Sequence, residues 1–344
     1  MSVKTFGLDI GTTSIKAVAL KKDAGKLSVD AVAVSPFTAK NILSESQTNQ
    51  QMIASSIKEM LEIAQVKTKQ VNVSIQEGQV YTKIIESPEL TEKELAASLS
   101  YEMDQYVPLP LNQVKTDWQI LDHFVKDGVK TMSVLIVAVS NSVLDKYENI
   151  LHLAGLTPAS IETEMVSVHR AISPLFSTNE SNLILHLGSS TTNISITANG
   201  VLRLIATIGL GGLAITRAIA ADLGISTAQA EELKKTYGLS SAYEGVVGKS
   251  LKPVLESIAL DIKRTILTFK EKNQNANVSK VVLSGGVSLL PGIEAFFLDQ
   301  LGIPVVIGNT FALNQIANVP EEILAEAPNY NVVVGLALRD IVLK

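Results

Sequence analysis

The residues best suited to chemistry begin with a glycine followed by three small hydroxyl residues: Gly11, Thr12, Thr13 and Ser14. Such a turn presents successive backbone amides and hydroxyls to an anion, with no bulky side chain in the way. Lys16 could add a positive charge beside the turn, and Asp9 could order the hydration shell of a Mg²⁺ ion. Taken alone, the segment could also be an ordinary hydroxyl-rich hairpin.

A second copy of this pattern occurs about half a chain later. Aligning Asp9 to Ser14 with His186 to Thr191, at an offset of 177 residues, gives a second turn of Gly188, Ser189, Ser190 and Thr191. Both copies follow an apolar strand and continue as a strand, a turn and another strand. The repetition predicts two related lobes whose turns could hold phosphate groups from opposite sides.

Three further segments could complete a nucleotide site. Gly211 and Gly212 lie just before a predicted helix, where amide dipoles favour an anion. Gly285, Gly286 and Val287 follow an apolar strand and would let a base or ribose approach closely, although two glycines after a strand are often only a turn. Glu231 and Lys234 are three residues apart on a predicted helix, so they could reach one ribose or form a solvent-exposed pair.

The elements that must position these residues alternate between strands and helices. The first part of the chain predicts three antiparallel strands within residues 3 to 34, a helix at 50 to 64 and a buried strand at 71 to 75. Near Ser87-Pro88 the character changes, and Thr91 and Glu94 form a capping box that begins a separate module. This module is predicted to contain strands at 116 to 124 and 131 to 139 and a helix at 141 to 154. Further helices are predicted at 212 to 223, 227 to 236 and 246 to 272.

We therefore expect an α/β protein of four parts. The first lobe core takes residues 1–84, 161–179 and 318–344, and the inserted subdomain takes 85–160. The second lobe core takes 180–223 and 268–317, and a helical subdomain takes 224–267.

Composition excludes several functions. The chain has 344 residues, a net charge of -5 and scattered basic residues, so we expect no nucleic-acid partner. It has no cysteine, and its four histidines are far apart in sequence, which excludes disulfides, thiolate metal sites and a local histidine ligand pair. No run approaches the roughly 18 apolar residues that a membrane span needs. We expect a cytoplasmic protein that does not enter the membrane by itself.

The segments DIGTTSIK, LGSSTT, GLGG, AEELK and LSGG, in this order, resemble the five nucleotide-binding segments of the actin, Hsp70 and sugar-kinase superfamily. The resemblance implies a duplicated, ribonuclease H-like fold of two lobes with ATP and Mg²⁺ between them. Both turns and Lys16 would hold phosphates, and Asp9 would serve the metal. Gly211 and Gly212 would flank the phosphates. Glu231 and Lys234 would hold the ribose, and Gly285, Gly286 and Val287 the adenosine.

One position departs from this superfamily, which usually has aspartate where the chain has His186. The usual carboxylate helps to organise metal and attacking water, so its loss predicts ATP binding with slow or negligible hydrolysis. Glu164 matches the water-orienting carboxylate of Hsp70-like members and is the remaining catalytic candidate. The alternative is an ordinary glutamate on a helix surface.

The inserted module, the stretch SYEMDQYVPLPLNQVKTDWQIL and the segment GLALR at 335 to 339 are similar to the PilM family of type IV pilus assembly proteins. This resemblance implies a cytoplasmic scaffold of a type IV pilus, or related type II secretion, inner-membrane complex. Its partner would be the N-terminal cytoplasmic peptide of a PilN-like inner-membrane protein, and this partner would hold the chain at the membrane. Other pilus components could also bind, and the chain could self-associate.

Two other functions stay open at this point. An FtsA-like cell-division or filament-forming scaffold carries a C-terminal amphipathic membrane helix, whereas NVVVGLALRDIVLK predicts a buried helix that ends at Lys344. A small-molecule kinase of the same superfamily would need a catalytic aspartate and a substrate pocket, and no segment indicates either.

Overall fold

The computed structural model describes residues 4–36, 42, 44–177, 179–241, 245–273 and 276–342. Its first sheet has the order β3-β2-β1-β4-β8. The elements of this part are β1 (Phe6–Ile10), β2 (Ser14–Asp23), β3 (Lys26–Pro36), α1 (Gln47–Ile63), β4 (Gln70–Ile75) and β8 (Thr157–Thr163). β1, β4 and β8 are parallel, and β2 pairs antiparallel with both β1 and β3. The predicted strands and helix of this segment are therefore present.

A small three-stranded sheet is inserted between β4 and β8. It consists of β5 (Val80–Pro88), β6 (Val114–Lys126) and β7 (Val129–Ser140) in the order β5-β7-β6, and it is covered by α2 (Glu92–Tyr106). The predicted capping box begins α2, because Thr91 and Glu94 each accept a hydrogen bond from the other's backbone amide. We call β5, α2, β6 and β7 the inserted sheet.

The second sheet repeats the topology of the first. Its order is β11-β10-β9-β12-β13, with two antiparallel pairs followed by two parallel pairs. Its strands are β9 (Ser181–Leu187), β10 (Thr192–Ala198), β11 (Val201–Ile208), β12 (Val278–Ser284) and β13 (Val305–Ile307). The duplication predicted from the repeated turn is confirmed, and so is the ribonuclease H-like fold that the superfamily resemblance implies.

Asn199 and Gly200 join β10 to β11 with positive φ angles of 56° and 77°. This is the backbone twist that a two-residue hairpin turn needs, which explains why Asn-Gly predicts the turn.

Helices cover the two sheets and join them. They are α3 (Asn141–Leu153), α4 (Glu164–Ile172), α5 (Gly212–Leu223), α6 (Thr227–Tyr237), α7 (Val246–Lys272), α8 (Ile293–Leu301), α9 (Thr310–Leu313), α10 (Glu321–Ala325) and α11 (Asn331–Val342). α4 and α11 pack together so closely that a methyl group at Gly335 would lie 1.9 Å from the carbonyl oxygen of Ser167. α11 also lies on the first sheet, where a methyl group at Gly7 would be 2.3 Å from the carbonyl oxygen of Val333.

Packing differs in detail from the predicted division of the chain. Tyr147, Ile150 and Leu151 of α3 share a buried cluster with Ile53 and Ile57 of α1, so this helix packs on the first sheet. β5 and β8 were not predicted as strands. The four-part division stays a prediction.

The predicted end of the last helix at Lys344 lies outside the described residues. Within the described ranges, no helix is both long and apolar enough to cross a bilayer.

A nucleotide-type cleft and a neighbouring groove

The two glycine turns have the same local geometry. In the first, the Gly11 amide donates a hydrogen bond to the carbonyl oxygen of Ser14 at 3.0 Å, and in the second the Gly188 amide donates to Thr191 at 3.0 Å. A methyl group at Gly11 would lie 2.9 Å from the Ser14 oxygen, and one at Gly188 would lie 3.0 Å from the Thr191 oxygen. The tight closure of each turn therefore favours glycine, because a side chain would press against a backbone oxygen.

The structure brings the two turns together from opposite lobes. Ser190 Oγ donates a hydrogen bond to Thr12 Oγ1 at 3.1 Å. The residues of both turns are partly exposed to solvent, and Thr13 is the most exposed of them. Hydroxyls and amides of two lobes thus line one cleft, which is the arrangement that the repeated motif predicts.

Asp9 and Lys16 form an ion pair behind the first turn. They are directly paired across β1 and β2, with Lys16 Nζ 3.9 Å from Asp9 Oδ2 and 2.9 Å from Ser14 Oγ. Both side chains are nearly buried. Burial raises the pKa of Asp9, and the positive charge of Lys16 opposes that rise. Lys16 is therefore held beside the turn by a carboxylate and a hydroxyl.

The second lobe carries a neutral pair at the matching positions. His186 pairs with Asn193 across β9 and β10, as Asp9 pairs with Lys16 across β1 and β2. His186 Nδ1 lies 3.0 Å from Ser284 Oγ. Burial, aided by the nearby charge of Lys16, lowers the pKa of His186 to about 4, so the imidazole is neutral near pH 7. The site thus has no ionised group where the first lobe has its aspartate.

Glu164 is buried at the start of α4 and faces this cluster. Its Oε2 accepts hydrogen bonds from the Glu77 amide at 3.0 Å and from Asn193 Nδ2 at 3.2 Å. Burial, with a smaller effect of the Asp9 charge, raises the pKa of Glu164 to about 8. The alternative of a glutamate on a helix surface is wrong, because only 8% of Glu164 is exposed.

Glu77 is a site residue that sequence reasoning missed. It lies two residues after the end of β4 and is 2% exposed, and burial raises its pKa. Its carboxylate accepts hydrogen bonds from the Met165 amide at 3.2 Å and from Thr82 Oγ1 at 3.1 Å. An acidic residue at the carboxyl end of a buried parallel strand could have indicated it, because ligands bind outside that edge of such sheets.

The donor set fits a Mg²⁺ ion that keeps most of its water. Asn193 Oδ1 and Ser74 Oγ are buried near the carboxylates with no hydrogen-bond partner in the described part of the chain. The same part contains no cluster of three acidic or histidine side chains arranged around a metal position. Mg²⁺ commonly binds through one or two carboxylates, water and substrate phosphates. Asp9 and water would suit it better than a cage of protein ligands.

The start of α5 differs from the prediction. The Gly212 amide donates to the Gly188 carbonyl at 2.9 Å, and the Leu213 amide donates to the Ser189 carbonyl at 2.8 Å. These amides are therefore not available to an anion, because the second turn already binds them. A methyl group at Gly211 would lie 2.8 Å from the oxygens of both Gly188 and Ser189. Gly211 and Gly212 instead let the helix press against the turn and support it.

Lys234 and Glu231 also pack against α5. Lys234 Nζ donates to Glu231 Oε2 at 2.6 Å, to Thr216 Oγ1 at 2.9 Å and to the Gly212 carbonyl at 3.2 Å. Lys234 is buried and Glu231 is partly exposed. The alternative of a solvent-exposed pair is therefore wrong for the lysine, while a contact with ribose stays a prediction.

The segment Gly285-Gly286-Val287 lies beside the second turn. Gly285 has a φ of +85°, and a methyl group there would be 2.5 Å from the carbonyl oxygen of Leu187. Val287 lies beneath Gly212, where a methyl group would be 2.9 Å from Val287 Cγ2. The structure thus assembles these glycines with the second turn, and their contact with adenosine stays a prediction.

A separate groove lies where the inserted sheet meets α4 and β11. Its volume is about 380 Å³, and its walls include Gln119 and Ile120 of β6, Val166 and His169 of α4, and Val201 and Leu202 of β11. Arg170 lines it as well and forms a two-pronged ion pair with Glu162, with nitrogen to oxygen distances of 2.6 and 2.9 Å. Arg339 Nε lies 3.3 Å from the same carboxylate. The groove therefore combines apolar side chains with two arginines that are paired to Glu162.

Comparison with solved structures supports the fold. A chain of a "PilM-PilN type IV pilus biogenesis complex" superposes with a TM-score of 0.85, at 24% identity over 98% of this chain and 99% of that one. Ethanolamine utilization protein EutJ from Carboxydothermus hydrogenoformans gives a TM-score of 0.60, at 17% identity over 98% and 90%. MreB5 of Spiroplasma citri bound to ADP gives 0.51, at 14% identity over 90% and 94%.

The sequence profile of the type IV pilus assembly protein PilM matches residues 7–341, which is nearly the whole chain. The two lobes, the paired turns and the inserted sheet are the structural counterpart of that match. The chain therefore belongs to the PilM family of type IV pilus assembly proteins.

Proposed function

We propose that this chain is an ATP-binding scaffold of the inner-membrane assembly complex of a type IV pilus or a related type II secretion system. The observation that carries the proposal is the meeting of two matching glycine turns from two lobes, with a groove where the inserted sheet faces α4 of the first lobe and β11 of the second. The first feature suits a nucleotide, and the second suits a peptide.

The phosphates of ATP would lie between the two turns. Lys16 would bind a phosphate as a point charge, and Asp9 would orient water on Mg²⁺, which would neutralise phosphate charge when bound. Calorimetric titration with Mg²⁺ and ATP tests this placement. Asp9→Ala should weaken binding in Mg²⁺, whereas Asp30→Ala, at an exposed position of β3, should leave it unchanged. Equal affinities for both variants would contradict the placement.

Turnover of bound ATP would be slow or absent. His186 supplies no negative charge, and Glu164, with a pKa of about 8, is largely protonated at pH 7, so neither group strongly activates water there. We expect a steady-state phosphate release rate no higher than that of the Asp9→Ala protein. A rate well above that of the variant would identify the chain as a true ATPase.

The partner would be the N-terminal cytoplasmic peptide of a PilN-like inner-membrane protein. The protein with the most similar fold reported above was solved as a complex of PilM and PilN. The groove offers such a peptide apolar side chains such as Val166 and Leu202, and the outer edge of β6, which is a terminal strand of the inserted sheet. A peptide can add to such an edge through main-chain hydrogen bonds. The partner would keep the chain cytoplasmic and peripheral to the inner membrane.

Anisotropy of a fluorescent peptide from such a partner tests the docking site. Val166→Arg places a long charged side chain inside the groove and should reduce affinity at least about tenfold, as loss of a well-packed contact does. Val129→Arg is the matched control, because Val129 is 56% exposed at the far tip of the inserted sheet. If both variants bind like the parent chain, the peptide docks elsewhere.

A further inference from the structure

The short turn between β4 and β5 contacts both glycine turns. Gln76 Nε2 donates hydrogen bonds to the Ile10 carbonyl and to Thr12 Oγ1, each at 3.3 Å. Two residues further on, the Cα of Gly78 approaches the second turn, because a methyl group there would be 3.5 Å from Thr191 Cγ2. A displacement of either turn therefore meets this segment directly.

The same segment exchanges hydrogen bonds with the start of α4. The Glu77 amide donates to the Glu164 carboxylate, while the Glu77 carboxylate accepts from the Met165 amide. Each glutamate thus holds the backbone that carries the other. Because both are buried, neither can move far without breaking a bond that water does not replace. The position of Glu164 in the cleft consequently depends on Glu77.

The inserted sheet leaves the first lobe at this cluster and returns to the first lobe through α3. β5 starts at Val80, and its Thr82 Oγ1 donates to Glu77 Oε1 at 3.1 Å. On the return, β7 runs into α3, which carries the fully buried Tyr147. No flexible linker separates the cleft from the inserted sheet.

We propose that Glu77 is a positioning residue, and that Gln76, Glu77 and Thr82 transmit the state of the glycine turns to the inserted sheet. The inference rests on the proposed function, since it explains how ATP in the cleft would alter the groove. A shift of Thr12 on nucleotide binding moves Gln76, and the Glu77–Glu164 exchange forces β5 and α4 to follow together. α4 lines the groove directly, and β5 pairs through β7 with β6 on the opposite wall, so a displacement of these elements changes the width of the groove.

The single tryptophan of the chain provides the test, because Trp118 lies on β6 of the inserted sheet. ATP should change its emission in the parent chain. Thr82→Val removes the hydroxyl that binds Glu77 while keeping the volume of the side chain, so it should reduce the emission change at least about threefold with ATP affinity within about twofold. Thr131→Val is the matched control. It removes a hydroxyl bonded to Val129 at the other end of the same sheet, and its response should equal that of the parent.

Calorimetry of ATP binding on the same samples distinguishes a failure of the relay from a failure of the proposed nucleotide site. If ATP binds and Trp118 responds equally in the parent and in Thr82→Val, the relay through Glu77 is refuted while the nucleotide site stands. A silent Trp118 in the ATP-loaded parent refutes the relay in the same way. If no ATP binds to the parent, the proposed function fails and the relay fails with it. A selective loss in Thr82→Val alone supports the relay.

Discussion

Replacement of Glu164 by glutamine should stabilise the metal-free protein, and increasingly so as the pH rises. The pKa of Glu164 is about 8 in the folded chain, against a reference value of 4.5, because burial disfavours the carboxylate. Between pH 4.5 and pH 8, the carboxyl group of Glu164 therefore keeps its proton in the folded state and loses it in the unfolded state. The contribution of Glu164 to stability becomes more unfavourable as pH rises from 4.5 towards 8.

The size of the effect follows from the two pKa values. One pKa unit corresponds to about 1.4 kcal/mol, so the penalty reaches about 3 kcal/mol at pH 7 and grows by about 2 kcal/mol between pH 6 and pH 8. Glutamine has no proton to release, and its side-chain oxygen can still accept from the Glu77 amide. The free energy of unfolding of Glu164→Gln should therefore gain about 2 kcal/mol on the parent over this interval.

Urea unfolding in EDTA, followed by far-ultraviolet circular dichroism at pH 6, 7 and 8, measures this difference. These pH values lie above the sequence pI of about 5.5, because aggregation near the pI would interfere with the measurement. Glu59→Gln, at an exposed position of α1, is the control and should show a constant difference. A difference between Glu164→Gln and the parent that does not change with pH, or that shrinks as pH rises, would refute the assigned burial of an ionisable Glu164.

Three further changes test the cleft. Lys16→Ala should lower ATP affinity about tenfold, which is the usual loss for a charged hydrogen bond. The control Lys21→Ala, on the exposed part of β2, should leave the affinity unchanged. Equal affinities of the two variants in calorimetry would contradict the role of Lys16. Gly211→Ala places a methyl group within 2.8 Å of the second turn and should weaken ATP binding at least about tenfold. Gly209→Ala, with open space around it, should leave ATP affinity unchanged. An unchanged affinity for Gly211→Ala as well would show that the turn adapts freely. His186→Asp introduces a carboxylate near Lys16 and should raise ATP turnover at least about fivefold in a phosphate-release assay. An unchanged rate with ATP bound would show that this position does not limit hydrolysis.

Local signals explain why much of the fold could be predicted. The capping box at Thr91 and the Asn199-Gly200 hairpin depend on neighbouring residues only, so the sequence determines them directly. The repeated turn motif also predicted the duplicated sheets, since the same backbone closure favours the same glycine. The meeting of the turns could be expected once two lobes were inferred.

Long-range packing explains what the sequence did not reveal. Glu77 has no distinctive neighbours in sequence, and its burial depends on α4, which lies 87 residues away along the chain. The amides that begin α5 looked available to an anion, and only the approach of the second turn shows that they are bound. Lys234 was similarly ambiguous, because a helical spacing of three does not reveal which helix packs over the pair.

The asymmetry between the lobes bears on function. The first lobe retains an ion pair of Asp9 and Lys16, whereas the second holds neutral His186 and Asn193 at the matching places. A nucleotide would therefore be held by charge mainly from the first lobe, which also carries both connections to the inserted sheet. We infer that the cleft is better suited to sensing ATP than to consuming it.

The most direct test of this account is a calorimetric titration of the ATP-loaded and the nucleotide-free protein with the N-terminal cytoplasmic peptide of a PilN-like membrane protein. We expect binding in the ATP-loaded state with an affinity at least about fivefold different from that of the nucleotide-free state, which is the lower end of typical allosteric coupling. No heat in either state, with ATP binding verified on the same sample, would contradict the central claim.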